Sequence, residues 1–250
     1  MELRVLGACG SWPAPGDATS GFLVIESGFT LVLDLGSGTF ARLQQQVSPR
    51  DLGAIVITHA HPDHFVDLYA LFYFRLFQPD PLPPLRLYAP PGLLDAVTCY
   101  APPDRAGEFR AAFDLHEVRP GTKLEVGPFA IHAREMHHQP ATIGLRVTAG
   151  GATLAYTADT APTEEIHRLA EGADLFLCEA TWLAANARDS LHLSAWQAGE
   201  YARAADVGDL LLTHLWPLFD PKEAEVEAAS ALGREARVAT SGLLVPVGAT

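Results

Sequence analysis

The chain has 250 residues, of which 48% are hydrophobic, so it is long enough to bury the core of one large domain. Its formal net charge of −13 argues against broad binding to nucleic acids or anionic membranes, because such binding favours a basic surface. The three cysteines, Cys9, Cys99 and Cys178, are far apart and form no CxxC motif, which predicts reduced thiols in a cytoplasmic protein.

In the first half of the chain, short β-like runs alternate with helix-like runs. The start MELRVLGACG is already strand-like and lacks the regions of a signal peptide, and no apolar run reaches the roughly 18 residues of a membrane span. The segment Phe65–Gln78 is apolar on nearly every face, which predicts a buried helix or, alternatively, a homodimer interface. The other predicted elements are the strands Leu3–Leu6, Gly21–Glu26, Thr30–Asp34, Ala54–Thr58 and Leu85–Tyr88 and the helices Phe40–Val47 and Leu93–Cys99.

The second half resembles the first. TLVLDLGSG (30–38) resembles TLAYTADTA (153–161), and AIVITHAH (54–61) resembles LLLTHLWP (210–217). Strands that alternate with helices predict an α/β protein, and two similar halves predict two sheets packed face to face with helices outside. We expect a single domain over residues 1–250. The predicted helices of this half are Ala161–Glu171 and Ser194–Ala205, the second with a capping box at its start.

The strongest motif is His59-x-His61-x-Asp63-His64, which directly follows a predicted apolar strand. Imidazole nitrogen and carboxylate oxygen are preferred ligands of zinc and similar metals. His59 and His61 can point the same way in extended backbone, whereas Asp63 and His64 follow the turn at Pro62 and can face a second position. Four such residues within six positions therefore favour two adjacent metal ions over one, and over a polar turn with chance histidines.

Other strand ends supply further candidate ligands. Asp159 ends TLAYTAD, His214 ends LLLTH, and His137 and His138 stand side by side in EMHHQP. Two metal ions can hold a hydroxide between them and take up charge that develops on the scissile group. These residues therefore predict hydrolysis with water as the nucleophile.

A second pair of residues is suited to protonating a leaving group. Glu179 ends the strand-like run LFLCE, and His192 lies just before the helix predicted at Ser194–Ala205. A carboxylate can orient the imidazole and keep it cationic enough to donate a proton. The alternative is that Glu179 supports a histidine that binds metal.

The motifs THAHPDH, YTADT, CEATW, LHLS and LLLTHL, with His138 between the first two, resemble the metallo-β-lactamase superfamily. Within it, the chain is similar to the ribonuclease Z-like phosphodiesterases, and most of all to the atypical class II cyclic-nucleotide phosphodiesterases of bacteria. The resemblance covers nearly the whole chain and implies a four-layer αββα sandwich. It places one metal ion on His59, His61 and His138, the other on Asp63, His64 and His214, and Asp159 between them. Gly144 and Arg146 follow His138 at the family spacing, whereas Pro140 fits His137; we assign His138.

The resemblance implies a hydrolase with two divalent metal ions, with zinc expected and manganese or iron as alternatives. Asp63, Glu179 and His192 are its expected catalytic residues, and a small phosphodiester such as a cyclic nucleotide is its expected substrate. One alternative is a tRNA 3′-processing endoribonuclease; others are a lactone or thioester hydrolase and a non-enzymatic binding protein. Only 20 residues separate His138 from Asp159, which leaves no room for the inserted arm that grips tRNA, so RNA is not the favoured substrate.

Overall fold

The computed structural model describes residues 1–100, 105–188 and 191–248. Their strands form two seven-stranded sheets that pack face to face. The strands are β1 (Glu2–Gly7), β2 (Gly21–Glu26), β3 (Phe29–Leu35), β4 (Ala54–Val56), β5 (Leu85–Ala89), β6 (Phe113–Glu117), β7 (Lys123–Val126), β8 (Phe129–Met136), β9 (Thr142–Ala149), β10 (Ala152–Tyr156), β11 (Leu175–Glu179), β12 (Asp209–Thr213), β13 (Arg237–Val238) and β14 (Leu244–Pro246).

Helices cover the outer face of each sheet. Along the described ranges, none of them is long and apolar enough to cross a membrane. The helices are α1 (Thr39–Gln46), α2 (Pro62–Phe65), α3 (Leu68–Leu76), α4 (Leu93–Tyr100), α5 (Ala106–Ala112), α6 (Glu164–Ala170), α7 (Ala195–Ala204) and α8 (Pro221–Leu232).

The apolar residues divide into three buried layers. One layer lies between the two sheets and includes Phe22, Phe129 and Tyr156. A second layer lies between the first sheet and α1, α3, α4 and α5, and a third lies between the second sheet and α6, α7 and α8. Each sheet is therefore buried on both faces, and the predicted αββα sandwich is confirmed.

The two sheets have matching strand orders. The first runs β14-β1-β2-β3-β4-β5-β6, and the second, read in the matching direction, runs β7-β8-β9-β10-β11-β12-β13. In each, an antiparallel part is followed by parallel strands, β3 to β6 and β10 to β13. Residues 30–38 and 153–161 occupy equivalent places, as predicted. The predicted match between residues 54–61 and residues 210–217 was wrong by one strand. β4 is the neighbour of β3 and β11 is the neighbour of β10, so β4 corresponds to β11, whereas residues 210–217 begin in β12.

Most predicted elements are confirmed to within a few residues, but two helices differ. The segment Phe65–Gln78 is not one helix: α2 ends at Phe65 and α3 begins at Leu68. The carboxylate of Asp67, at this break, accepts a hydrogen bond from the amide of Phe40 at the start of α1. The predicted helix Ala161–Glu171 is shorter, because the side chain of Thr163 caps it and α6 begins at Glu164.

Candidate metal centre

The site lies at the edge of the sandwich where strands of both sheets end. Polar side chains follow these strands directly, as expected for the carboxyl ends of parallel strands in α/β proteins. His59 and His61 follow β4, and the short helix α2 then carries Asp63 and His64. The structure brings these residues together with the remaining predicted ligands, which follow β8, β10 and β12: His138, Asp159 and His214.

The ligand atoms form two groups that share the carboxylate of Asp159. The Oδ2 atom of Asp159 lies 3.6 Å from His59 Nε2 and 3.7 Å from His138 Nε2. The Oδ1 atom lies 3.2 Å from His64 Nε2 and 3.4 Å from His214 Nε2. Each carboxylate oxygen therefore faces a different group of imidazoles.

The two groups are completed by the other predicted ligands. His61 Nδ1 lies 3.3 Å from His138 Nε2, in the group faced by Oδ2 of Asp159. Asp63 Oδ2 lies 3.2 Å from His214 Nε2, in the group faced by Oδ1. The candidate ligand atoms of His59, His61, His138 and Asp159 lie within 4.8 Å of one another, and so do those of Asp63, His64 and His214.

Hydrogen bonds fix the ring orientation of two of the histidines. Because a carboxylate and a carbonyl only accept, the Nδ1–H of His64 donates to Asp34 and the Nδ1–H of His138 donates to the carbonyl of Leu191. The Nε2 atom of each ring therefore faces Asp159, and in the neutral imidazole it carries the lone pair that binds a metal ion.

Three buried polar atoms at the centre have no hydrogen-bond partner among the described residues: His59 Nε2, His64 Nε2 and Asp159 Oδ1. Polar atoms left without partners in the interior are costly, and a divalent cation would satisfy all three. The donor set of imidazoles and carboxylates is also the one that zinc, manganese and iron accept. The residues present therefore fit divalent metal ions.

Burial and charge shift the pKa values of the cluster in opposite directions. Burial lowers the pKa of His59 well below its usual range and also lowers the pKa of His61 and His138. For Asp159, burial alone would raise the pKa, but the nearby His214 and His64 outweigh it and hold the pKa well below its usual range. The cluster therefore keeps Asp159 ionised and His59, His61 and His138 neutral, which are the protonation states that bind metal. For His64, burial alone would lower the pKa, but Asp159, Asp34 and Asp63 raise it well above its usual range, so a bound cation would have to displace that proton.

The structure distinguishes the two adjacent histidines. His138 is buried within the cluster, whereas His137 is exposed and its amide donates to Thr160 Oγ1. The side chain of His138 therefore belongs to the centre and that of His137 lies outside it.

Asp34 is a buried residue of the site that the sequence analysis missed. Its carboxylate accepts from His64 Nδ1 at 2.8 Å, Thr58 Oγ1 at 2.9 Å and Tyr156 Oη at 2.8 Å. Thr58 Oγ1 in turn lies 3.1 Å from His59 Nδ1. One carboxylate thus orients a histidine of each group. Its position near the end of β3 was the signal that the sequence offered.

Glu179 and His192 are brought together beside the cluster. His192 Nδ1 donates to Glu179 Oε1 at 3.1 Å, which holds the ring through that nitrogen. The ring of His192 stacks on that of His214, with centroids 5.5 Å apart and an interplanar angle of 17°. Glu179 also contacts a candidate ligand indirectly, because its Oε2 atom accepts from Thr181 Oγ1, which lies 2.8 Å from His214 Nδ1.

Comparison with known proteins identifies the family. Residues 29–215 match the family model described as a beta-lactamase superfamily domain. The chain belongs to the metallo-β-lactamase superfamily. It is 33% identical to the uncharacterized protein ML1173 of Mycobacterium leprae, over 97% of this chain and 87% of the relative. It is 27% identical to a ribonuclease Z of Methanothermobacter thermautotrophicus, over 92% of this chain and 91% of the relative.

A solved structure supports the same assignment. The crystal structure of the metallo-β-lactamase fold protein YhfI from Bacillus subtilis superposes with a TM-score of 0.88, at 27% identity, over 98% of this chain and 99% of that chain. The superfamily and its ribonuclease Z-like branch, inferred from the motifs, are therefore confirmed. This metallo-β-lactamase superfamily member is a metallo-hydrolase that uses divalent metal.

The metallo-β-lactamase centre is built on strained and closely packed backbone. Asp34 and His214 both adopt left-handed backbone, with φ of 58° and 60°. This conformation is unfavourable for residues other than glycine and is often found at functional sites. Gly36 passes so close to the Asp63 carbonyl oxygen that a Cβ atom would lie 1.9 Å from it. A larger residue at Gly36 would displace the turn that carries Asp63.

A cavity of about 370 Å³ adjoins the His138 side of the centre. His138 and Leu191 form the wall next to the centre, while Glu135 and Glu165 line it farther out. Among the described lining residues there are two carboxylates and no lysine or arginine. The cavity is therefore large enough for a small organic group, and the carboxylate of Glu165 in its lining is paired with Arg134 and Arg168.

Proposed function

We propose that this superfamily member is a phosphodiesterase that uses two divalent metal ions and acts on a small phosphodiester such as a cyclic nucleotide. Zinc is the expected metal, with manganese and iron as alternatives. The proposed ligands are His59, His61 and His138 for one ion, Asp63, His64 and His214 for the other, and Asp159 for both.

The observation that carries this proposal is the pair of the buried Glu179 and the half-buried His192, next to the two-sided cluster around Asp159. A hydrolase that only opened an activated ester would not need a separate proton donor, whereas an alkoxide leaving a phosphodiester does. His192 lies between the two groups, since its ring centroid is 5.0 Å from that of His138 and 5.5 Å from that of His214.

The chemistry divides between the metal ions and the side chains. Two bound divalent ions would activate a water as nucleophile and neutralise charge on the phosphodiester oxygens. Glu179 holds His192 through Nδ1 and stabilises positive charge on the ring, so Nε2–H can donate a proton to the departing oxygen. Asp63 keeps its negative charge, because His64 and His214 lower its pKa despite burial, and it contributes to binding one ion.

The acidic balance of the chain, with a formal net charge of −13, favours a small substrate over RNA. An acidic protein repels the many phosphates of a polynucleotide, whereas a small phosphodiester brings a single negative charge. Ribonuclease Z activity is the second candidate, because a ribonuclease Z is among the relatives. Lactone or thioester hydrolysis is the third, and it would not require His192.

The test is a substrate panel with protein reconstituted with zinc, manganese or iron. We expect cyclic AMP to be cleaved faster than a tRNA precursor and a lactone, and chelation to abolish the activity. His192→Ala should lower turnover of the phosphodiester about 10²- to 10⁴-fold while the metal content is retained. The matched control is His116→Ala, which removes an exposed histidine of β6.

Two outcomes would contradict the proposal. Equal or faster cleavage of the tRNA precursor would make RNA processing the main activity. Lactone turnover that survives His192→Ala, without phosphodiester cleavage by the wild-type protein, would favour the third candidate.

We also propose that the protein forms a homodimer in the cytoplasm. Tyr73 and Phe77, on and just after α3, stack at 5.9 Å and are 38% and 68% exposed, which supports self-association through this helix. The double variant Tyr73→Ser, Phe77→Ser should be monomeric by light scattering, whereas an unchanged mass would place the interface elsewhere.

A further inference from the structure

Three tryptophans form a row from the core to the surface beside the centre. Trp182 is 1% exposed, its ring lies 4.3 Å from that of Trp216, and Trp216 lies 5.3 Å from Trp12, which is 39% exposed. Trp216 therefore packs against Trp12, which remains partly exposed to solvent.

Hydrogen bonds attach this row to the metal-ligand side of the site. The amide of Ser11 donates to Asp63 Oδ2 at 2.9 Å, and Trp216 Nε1 donates to Ser11 Oγ at 3.0 Å. Trp216 also follows the candidate ligand His214 by only two residues. The indole of Trp12 is therefore anchored next to the position where Asp63 and His214 would bind a metal ion.

Such a surface suits an aromatic group joined to the reacting phosphate. A large apolar ring exposed at the surface is unfavourable unless a partner covers it, and its flat face can stack on any nucleobase. We propose that Trp12 is the stacking surface for the base of a nucleotide substrate, so the substrate class is a phosphodiester that carries an aromatic base. This inference rests on the proposed phosphodiesterase function.

The test compares substrates that differ only in the base. Cyclic AMP carries the base and ribose 3′,5′-cyclic phosphate lacks it, while a tRNA precursor reports whether the same contact serves RNA. Trp12→Ala should raise KM for cyclic AMP about tenfold, with kcat changed less than twofold, because stacking contributes to binding and not to the chemical step. The variant should leave the substrate without a base unchanged, and Trp12→Phe should retain most of the affinity.

The matched control is Trp196→Ala. Trp196 is 41% exposed, similar to Trp12, but it lies on α7 and its amide donates to Glu227 of α8. We expect this variant to match the wild type on every substrate. Metal content and the melting temperature of each variant show whether the centre and the fold are intact.

A direct binding measurement accompanies the kinetics. AMP should quench the tryptophan fluorescence of the wild-type protein, and Trp12→Phe should lose most of this change. If Trp12→Ala raised KM equally for both cyclic phosphates, or for neither, the stacking assignment would be wrong while phosphodiesterase function stood. If the wild-type protein cleaved no phosphodiester, the proposed function would fail and this inference would fail with it.

Discussion

Asp34 orients candidate ligands of both groups. It contacts His64 directly and His59 through Thr58, and its carboxylate is fully buried. We predict that Asp34→Asn weakens metal affinity about 10- to 100-fold, because the amide accepts fewer hydrogen bonds and no longer fixes the tautomer of His64. Competition with a fluorescent chelator measures the effect.

Tyr156→Phe is the control for this variant. It removes only one of the hydrogen bonds that Asp34 accepts and leaves both histidine contacts intact. We expect a smaller loss of affinity than for Asp34→Asn. Equal affinities for wild type and Asp34→Asn would show that Asp34 does not support the centre.

The adjacent histidines give a second residue-scale prediction. His138→Ala should lower the metal content of the purified protein and abolish hydrolysis, since it removes a buried imidazole that faces Asp159. His137→Ala should retain both, because that side chain is exposed. Elemental analysis and turnover of a phosphodiester distinguish the two, and the reverse result would move the assignment to His137.

Residues close together in sequence were the part of the site that could be predicted without a structure. The sequence predicts the first four ligands because they lie within six positions: His59, His61, Asp63 and His64. It predicts Asp159 and His214 because each follows an apolar strand. The role of Asp34 could not be predicted, because a single aspartate near the end of a strand is common and its partner His64 lies 30 residues away. His138 was assigned from the spacing to Gly144 and Arg146 although Pro140 fits His137, and the placement of the two rings favours His138.

At the scale of elements, Asp67 joins two helices of the outer layer. It lies in the break before α3 and its carboxylate accepts the amide of Phe40 in the first turn of α1. Gly38, the residue that precedes α1, supplies no side-chain cap. We predict that Asp67→Ala lowers the free energy of unfolding by about 1 kcal/mol, as measured by denaturant titration. Asp80→Ala, at an exposed position, should change it little.

The break at Asp67 also shows where pattern reasoning fails. The run from Phe65 to Gln78 contains no proline or glycine, so local preferences alone predict one continuous helix. At the break after α2, Asp67 contacts the amide of Phe40, which is 27 residues away in the sequence. No local pattern contains such a contact. Where the signal was local, as in the capping box of Ser194 and Gln197, the predicted start of α7 is confirmed.

For the whole molecule, metal binding is coupled to folding because the ligands come from both sheets. At a free metal concentration about a thousand times Kd, binding adds about 4 kcal/mol of stability. For a domain of this size, removal of the metal should therefore lower Tm by about 10 °C. Differential scanning fluorimetry with and without chelator measures the shift, and Asp159→Ala should show little of it.

The same melting experiment tests the proposal that residues 1–250 form one domain. The layer between the sheets is shared, with Phe22 of the first sheet packed on Tyr156 of the second at 5.2 Å. We expect one cooperative transition that coincides when followed by circular dichroism and by fluorescence. Two separate transitions would show that the halves unfold independently.

The divided carboxylate of Asp159 would have a consequence for how the two proposed ions are loaded. A cation that arrives at one oxygen withdraws electron density and charge from the other, so the two positions are not independent acceptors. Saturation with metal should then proceed in two unequal steps. The half-loaded protein would be a distinct species, and the supply of metal in the cell would set how much of it is present.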